Sequence, residues 1–214
     1  MDYERLYEYR FRDVDQRARE AVWGPIARFV HEQLGRPRRV LDPAAGRCEF
    51  INSVPAEERW AVDRVAFEEA SRRTGTRFVL GDAMEVELPD AHFDGVFVSN
   101  FLEHLATPDA VAAFLERMRV AMRSGGRIAV MGPNYRYCAR EYWDCADHYL
   151  ALTHLTIEEH LYAAGLEPVR SIPRFLPYSL RGRLPASESL TAAYLRMPPL
   201  WRMLGKQFLV VAER

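Results

Sequence analysis

Short, almost continuous apolar runs alternate along this chain with longer stretches in which apolar residues return every three or four positions. In the first long stretch, Val14, Ala18, Ala21, Val22, Ile26, Phe29 and Val30 share one helical face, and Gly35 follows as a stop signal. The brief runs Arg39–Asp42, Trp60–Asp63, Phe78–Leu80, Gly95–Ser99 and Arg127–Met131 read as strands, with Val169–Pro173 and Phe208–Ala212 as two final ones. Between them, Thr107-Pro108 opens a helix carrying Val111, Phe114, Leu115, Met118 and Met122 on one side, and Gly125-Gly126 follows it. Thr156 with Glu159 reads as a capping box for another helix, which Gly165 ends. Apolar strands that alternate with helices need cover on both faces, so a parallel α/β sheet is expected.

Composition narrows this picture only slightly. At 214 residues, 49% hydrophobic and 28% charged, the chain suits one soluble domain with a core of its own. No linker or repeat marks a second domain. Lys206 is the single lysine, and a formal net charge of −1 gives no reason to expect nucleic acid. Cys48, Cys138 and Cys145 are an odd number and form no disulfide framework, which favours a reducing, cytoplasmic setting. Cysteines seven apart with His148 nearby match no zinc spacing, so no metal site is expected. The first twelve residues lack a signal-peptide core, and no run reaches the ~18 apolar residues of a membrane span.

The chemistry concentrates where strands end. Arg39 to Phe50 reads as a strand closing on Asp42, then a turn of small residues, then a helix start. Small residues let backbone amides approach a ligand closely. Asp63 and Asp82 close the next two strands, so three acids sit along one carboxyl edge, where a nucleoside-type ligand would lie. A dinucleotide fingerprint would need Gly-x-Gly-x-x-Gly. The turn here is Asp42-x-Ala44-x-Gly46-x-Cys48, and Gly81-Asp82-Ala83-Met84 adds an acid that this fingerprint lacks.

Taken in order, these segments resemble the class I S-adenosylmethionine-dependent methyltransferases. Val40-Leu41-Asp42-x-Ala44-x-Gly46 is similar to that family's first motif, and Phe93 to Asn100 to its fourth strand. Met122 to Arg127 resembles the turn into its fifth strand. Ser99-Asn100-Phe101-Leu102-Glu103-His104-Leu105 and Tyr142-Trp143-Asp144 with Asp147-His148 resemble a bacterial subgroup associated with glycans and secondary metabolites. The resemblance implies a Rossmann-like, doubly wound sheet of seven strands, mostly parallel with an antiparallel last strand. It also implies S-adenosylmethionine as cofactor. Asp42 and the turn Ala44–Gly46 would hold the methionine end and Asp63 the ribose. Asp82, Ala83 and Met84 would meet the adenine, and Ser99 and Asn100 would offer backbone groups to the amine. The family's loop usually has glycine where Ala44 and Cys48 stand. Alanine is tolerable there at negative φ, and Cys48 can serve as a small hydrophobe.

A sulfonium methyl is already activated, so alignment and exclusion of water do most of the work. A hydroxyl acceptor must still lose a proton, and histidine is the usual base. His104, just past the fourth strand, and His148, with Asp147 as its orienter, are the candidates; each could instead be a packed or capping residue. Pro133 to Tyr137 is expected to line the same mouth. Residues 1–36 are expected to form a helical lid, with Arg10 reaching the methionine carboxylate, and residues 133–206 to supply substrate-side insertions. Between Arg170 and Lys206 seven basic residues face one acid, Glu188, amid Phe175, Tyr178, Leu180, Leu184, Tyr194 and Trp201. That segment suits an anionic or sugar-containing acceptor or, more weakly, a membrane surface; a solvated face or homodimer surface reads equally well. Two alternatives stay open: a lyase or cyclase acting on S-adenosylmethionine, and a non-catalytic family member.

Overall fold

The computed structural model describes residues 2–12, 15–66, 75–178 and 187–214. Two helices come first, α1 (Tyr3–Phe11) and α2 (Gln16–Gln33). The sheet-forming part runs β1 (Arg39–Asp42), α3 (Glu49–Ser53), β2 (Glu58–Asp63), β3 (Thr76–Leu80) and β4 (Phe93–Ser99). A 3₁₀ turn at Leu102–His104 leads to α4 (Pro108–Ala121), β5 (Met122–Pro133), α5 (Tyr135–Tyr142), α6 (His154–Ala163) and β6 (Glu167–Ile172). Helices α7 (Glu188–Leu195) and α8 (Pro198–Leu204) precede β7 (Gln207–Glu213).

The strands form one seven-stranded sheet in the order β3-β2-β1-β4-β5-β7-β6. The first five are parallel, and β7 runs antiparallel between β5 and β6. Successive strand residues point to opposite faces, and the apolar runs feed a core on each. Leu41, Val96, Val98, Ile128 and Val130 pack on one side with α4 and α6. Val40, Phe97, Ala129 and Met131 pack on the other with α2 and α3. A buried apolar residue at nearly every strand position therefore follows from burial on both faces. The strand order reverses between β1 and β4, which leaves a crevice at their carboxyl ends.

The sequence-derived elements are present; β2, β3, β4 and β6 each begin two residues before the expected start, and two other starts shift further. The helix assigned to a Thr156–Glu159 box begins three residues earlier: Thr153 is its N-cap, and Thr153 and Thr156 satisfy each other's backbone N–H. A second hydroxyl at the third helical position does the work expected of Glu159. Strand β5 starts at Met122, because the Gly125-Gly126 pair is an irregularity inside the ladder rather than a connection before it. Val14, Leu180, Arg181, Arg183 and Leu184 lie outside the described residues, as does the side chain of Ala18. Among the described residues no helix is long and apolar enough to cross a membrane.

Candidate active site

The turn after β1 is tied to β2 by one carboxylate. Asp63 Oδ2 accepts the Gly46 N–H at 2.7 Å, and Oδ1 accepts the Val65 N–H at 2.9 Å. Gly46 has φ +52°, and an added Cβ would meet no atom within 4 Å, so the dihedral rather than crowding selects glycine. Ala44 stays outside the positive-φ region, as alanine requires. Cys48 does not: it caps α3 at φ +63° with its side chain buried, a left-handed conformation that costs a β-carbon about 1–2 kcal/mol. Asp42 is buried beneath the turn, and its Oδ1 accepts the Ala44 N–H at 3.3 Å. Burial, aided by nearby Asp63, pushes its carboxyl well above the usual range. Burial also raises Asp63, against the pull of its backbone donors.

One cavity opens over these strand ends, lined on this side by Ala44, Gly46, Asp63, Ala83, Ser99 and Asn100. Three expected contacts are displaced. Asp42, Asp82 and Met84 do not line it. Asp82 instead pairs with Arg64 and accepts the Met84 N–H at 2.9 Å, so its carboxylate shapes the loop that presents Ala83. Asp42 likewise supports the turn from below.

The cavity continues to a second group of side chains. Past β4, the 3₁₀ turn brings Glu103 and His104 to its wall, and the loop after α5 brings Cys145, Asp147 and His148. His104 Nδ1 lies 2.8 Å from the Asp147 carbonyl oxygen, which can only accept, so Nδ1 carries the proton and Nε2 keeps its lone pair. Asp147 Oδ2 is 3.3 Å from the same nitrogen. Asp147 thus serves His104, not His148 as its position in the sequence suggests, because the two segments meet only in the fold. Its carboxylate also pairs with Arg10 of α1. Burial works to raise Asp147, but the Arg10 hydrogen bond and the neighbouring His104 outweigh it and hold the carboxyl below its usual value. His148 packs edge-on to His104 and to Tyr142, with ring centroids 4.9 and 4.8 Å apart, and burial pushes it down to about 4. Its imidazole is therefore neutral near pH 7.

Helix α1 forms part of the cavity wall. Tyr3, Tyr7 and Phe11 recur every four residues, meet in tilted contacts with ring centroids 6.4 and 6.1 Å apart, and line the cavity beside Arg10. Burial, with Asp63 and Asp147 nearby, pushes the Tyr7 hydroxyl up to about 12. Tyr7 therefore stands between the carboxylate of one half of the cavity and that of the other. Arg10 is engaged with Asp147, so its guanidinium faces the second group of side chains.

Two expectations about the substrate side change. Residues 133–137 do not line the cavity. Asn134 is fully buried as the N-cap of α5, and its amide binds His154 and the Pro173 carbonyl. Three residues of the basic segment are engaged within the fold, while Arg196 and Arg202 are exposed and Arg181 and Arg183 lie outside the described residues. Arg174 donates to the Gly205 and Met203 carbonyls, Lys206 pairs with Glu141, and Arg170 bonds Gln33. Its aromatic residues Phe175 and Trp201 are buried around Phe29 rather than displayed. Tyr178, one of the aromatic residues noted in that segment, does line the cavity, and so does Glu103, to which the sequence gave no role; the signal for Glu103 was an acid between apolar Leu102 and His104.

Residues 36–130 match the family model described as Methyltransferase domain. No curated protein sequence matches the chain. Among solved structures, a SAM-dependent methyltransferase from Archaeoglobus fulgidus is 22% identical, with 100% of each chain covered and a TM-score of 0.69. The 1,6-didemethyltoxoflavin-N1-methyltransferase of Burkholderia thailandensis, solved with S-adenosylhomocysteine, is 24% identical over 100% of this chain and 89% of that one, with a TM-score of 0.60. The cyclase SpnF shares the fold at 17% identity, 89% and 81% coverage and a TM-score of 0.62. The groups at the first half of the cavity fit S-adenosylmethionine: the Asp63 carboxylate, oriented by backbone N–H groups, can still accept from a ribose hydroxyl, and the turn has no bulk to block approach. By sheet order the chain has the Rossmann-like fold of these S-adenosylmethionine-dependent methyltransferases, and residues 36–130 within it match the methyltransferase-domain family model.

Proposed function

We propose that the protein transfers a methyl group from S-adenosylmethionine to an oxygen, or a nitrogen, of a small-molecule acceptor in a reducing, cytoplasmic setting. One observation carries this reading: the cavity that begins at Asp63 and Gly46 ends at His104, Asp147 and His148. When bound, the cofactor supplies an activated methyl carbon that needs only a positioned nucleophile. Asp63 and the Ala44–Gly46 turn hold its nucleoside and methionine parts, Ala83 covers the adenine, and Ser99 and Asn100 face the amine. Helix α1 acts as a lid whose latch is Arg10 on Asp147. A hydroxyl or amine lying beside His104 meets an imidazole whose tautomer is set and whose Nε2 is free to accept a proton. The acceptor is small and polar, and Arg170 and Arg174, being engaged elsewhere, do not define it.

Product analysis tests this. Incubation with S-adenosylmethionine and a panel of hydroxyl and amine metabolites should release S-adenosylhomocysteine in step with a methylated product. Methylthioadenosine in its place would transfer the assignment to a lyase or cyclase on the same fold, a reading that the likeness to SpnF keeps in view. Failure to bind S-adenosylhomocysteine in calorimetry would indicate a non-catalytic member.

A further inference from the structure

We propose that Glu103, His104 and His148 form a binding site for a divalent first-row transition-metal ion that holds the acceptor; this rests on the methyl-transfer reading. One ligand atom from each of these residues lies within 4.8 Å of the others. Glu103 is 3% exposed and its Oε1 is buried with no hydrogen-bond partner; His148 is 8% exposed and its Nδ1 is likewise buried without one. An unpartnered buried polar atom costs about 1–3 kcal/mol, so two at one place call for a common occupant. His104 completes the set in the manner of metal-bound histidines: its Nδ1–H donates to the Asp147 carbonyl, which fixes the ring and leaves Nε2 as ligand. All three residues line the cavity beyond the cofactor end.

Two imidazoles and one carboxylate favour Zn²⁺, Fe²⁺ or Co²⁺ over Mg²⁺ or Ca²⁺. Three protein ligands leave coordination positions open, as sites that bind a substrate oxygen do. The class of acceptor this selects is one with an oxygen, or a pair of neighbouring oxygens, able to coordinate the ion. With the ion bound, the metal takes over from the His104 lone pair in easing loss of the acceptor's proton; the metal-free protein keeps His104 Nε2 as the base.

The test is titration of the metal-free full-length protein with Co²⁺, followed by visible absorption, with S-adenosylhomocysteine binding measured on the same samples. A saturable absorption band at one equivalent is expected, unaffected by equal Mg²⁺. Glu103→Gln and His148→Ala should each weaken Co²⁺ binding at least ~10-fold, since even outer-shell partners of metal ligands carry that much. His160→Ala, on α6 away from the cavity, should leave it unchanged. No band in the wild-type protein, an unaltered band in both cluster variants, or loss of the band in His160→Ala would each overturn the proposal. S-adenosylhomocysteine binding retained in any of these cases leaves the methyltransferase reading standing. Its absence from the wild type overturns that reading instead, while the Co²⁺ band still judges the cluster. Glu103→Gln preserves shape and decides the matter should His148→Ala fail to fold.

Discussion

His104 and Asp147, 43 residues apart in the chain, are joined by a 2.8 Å hydrogen bond from the imidazole Nδ1 to the backbone carbonyl. The bond leaves Nε2 as the reactive nitrogen on the acceptor side of the cavity. Its value lies in orientation, because a ring free to rotate would offer either nitrogen. Substituting His104 by Ala should lower turnover by roughly 10²–10⁴-fold while calorimetric affinity for S-adenosylhomocysteine stays unchanged. Equal loss of both would make His104 a structural residue.

Arg10 of helix α1 pairs with the carboxylate of Asp147, whose side chain is 1% exposed. Arg10→Ala leaves that buried charge with His104 alone, at a cost of about 2 kcal/mol. Because α1 lines the cavity, the closed state is what weakens. S-adenosylhomocysteine affinity should fall by about tenfold, and limited proteolysis should cut within the first fifteen residues more readily. Unchanged affinity would remove the latch.

Asp63 both shapes the turn and faces the cofactor. Asp63→Ala orphans the N–H groups of Gly46 and Val65, which are now met at 2.7 and 2.9 Å. Stability should drop by about 1–3 kcal/mol in urea denaturation, and cofactor affinity by more than ~10-fold. Asp63→Asn keeps one acceptor oxygen and should fall between the two.

Cys48 carries a left-handed backbone that glycine would adopt freely. Cys48→Gly and Cys48→Ala both lose the buried thiol, but alanine keeps the strain. The glycine variant should therefore be the more stable of the pair by about 1 kcal/mol. Equal melting temperatures would show that the turn relaxes around residue 48.

Asp94, at the opposite end of β4, accepts from the Arg39 backbone and guanidinium at 2.9 and 3.0 Å and from Arg123. Burial works to raise its carboxyl, but these donors win and hold it at about 2. A carboxyl depressed by folding stabilises above its unfolded value near 3.8 and loses that contribution as pH falls towards 2. Wild-type stability should decline across that window by roughly 1–2 kcal/mol from this group, the half-exposed Arg123 being partly screened. Asp94→Asn should be less stable at neutral pH and flatter below pH 4.

Local pattern was enough for the sheet, both helical layers and the cavity-lining places of Gly46, Asp63 and Ala83 at the strand ends, because each depends on periodicities and turn chemistry that span a few residues. Leu41 and Val40 face opposite cores for no reason beyond the alternation of a strand, and Asp63 ends its strand wherever the neighbours lie. The acceptor half is a different case. Its contacts join Arg10, His104 and Asp147 across more than a hundred residues, and no spacing along the chain encodes which carboxylate meets which imidazole. Asp82 looked like a ligand and became the partner of Arg64; Arg174 looked like part of a basic surface and was drawn into the fold; Glu103 had been given no role and came to rest, its Oε1 without a partner, beside two histidines. Periodicity specifies which face of an element is buried. Only the packing of distant segments decides which polar groups are left facing one another, and the chemistry at the far end of this cavity depends on that.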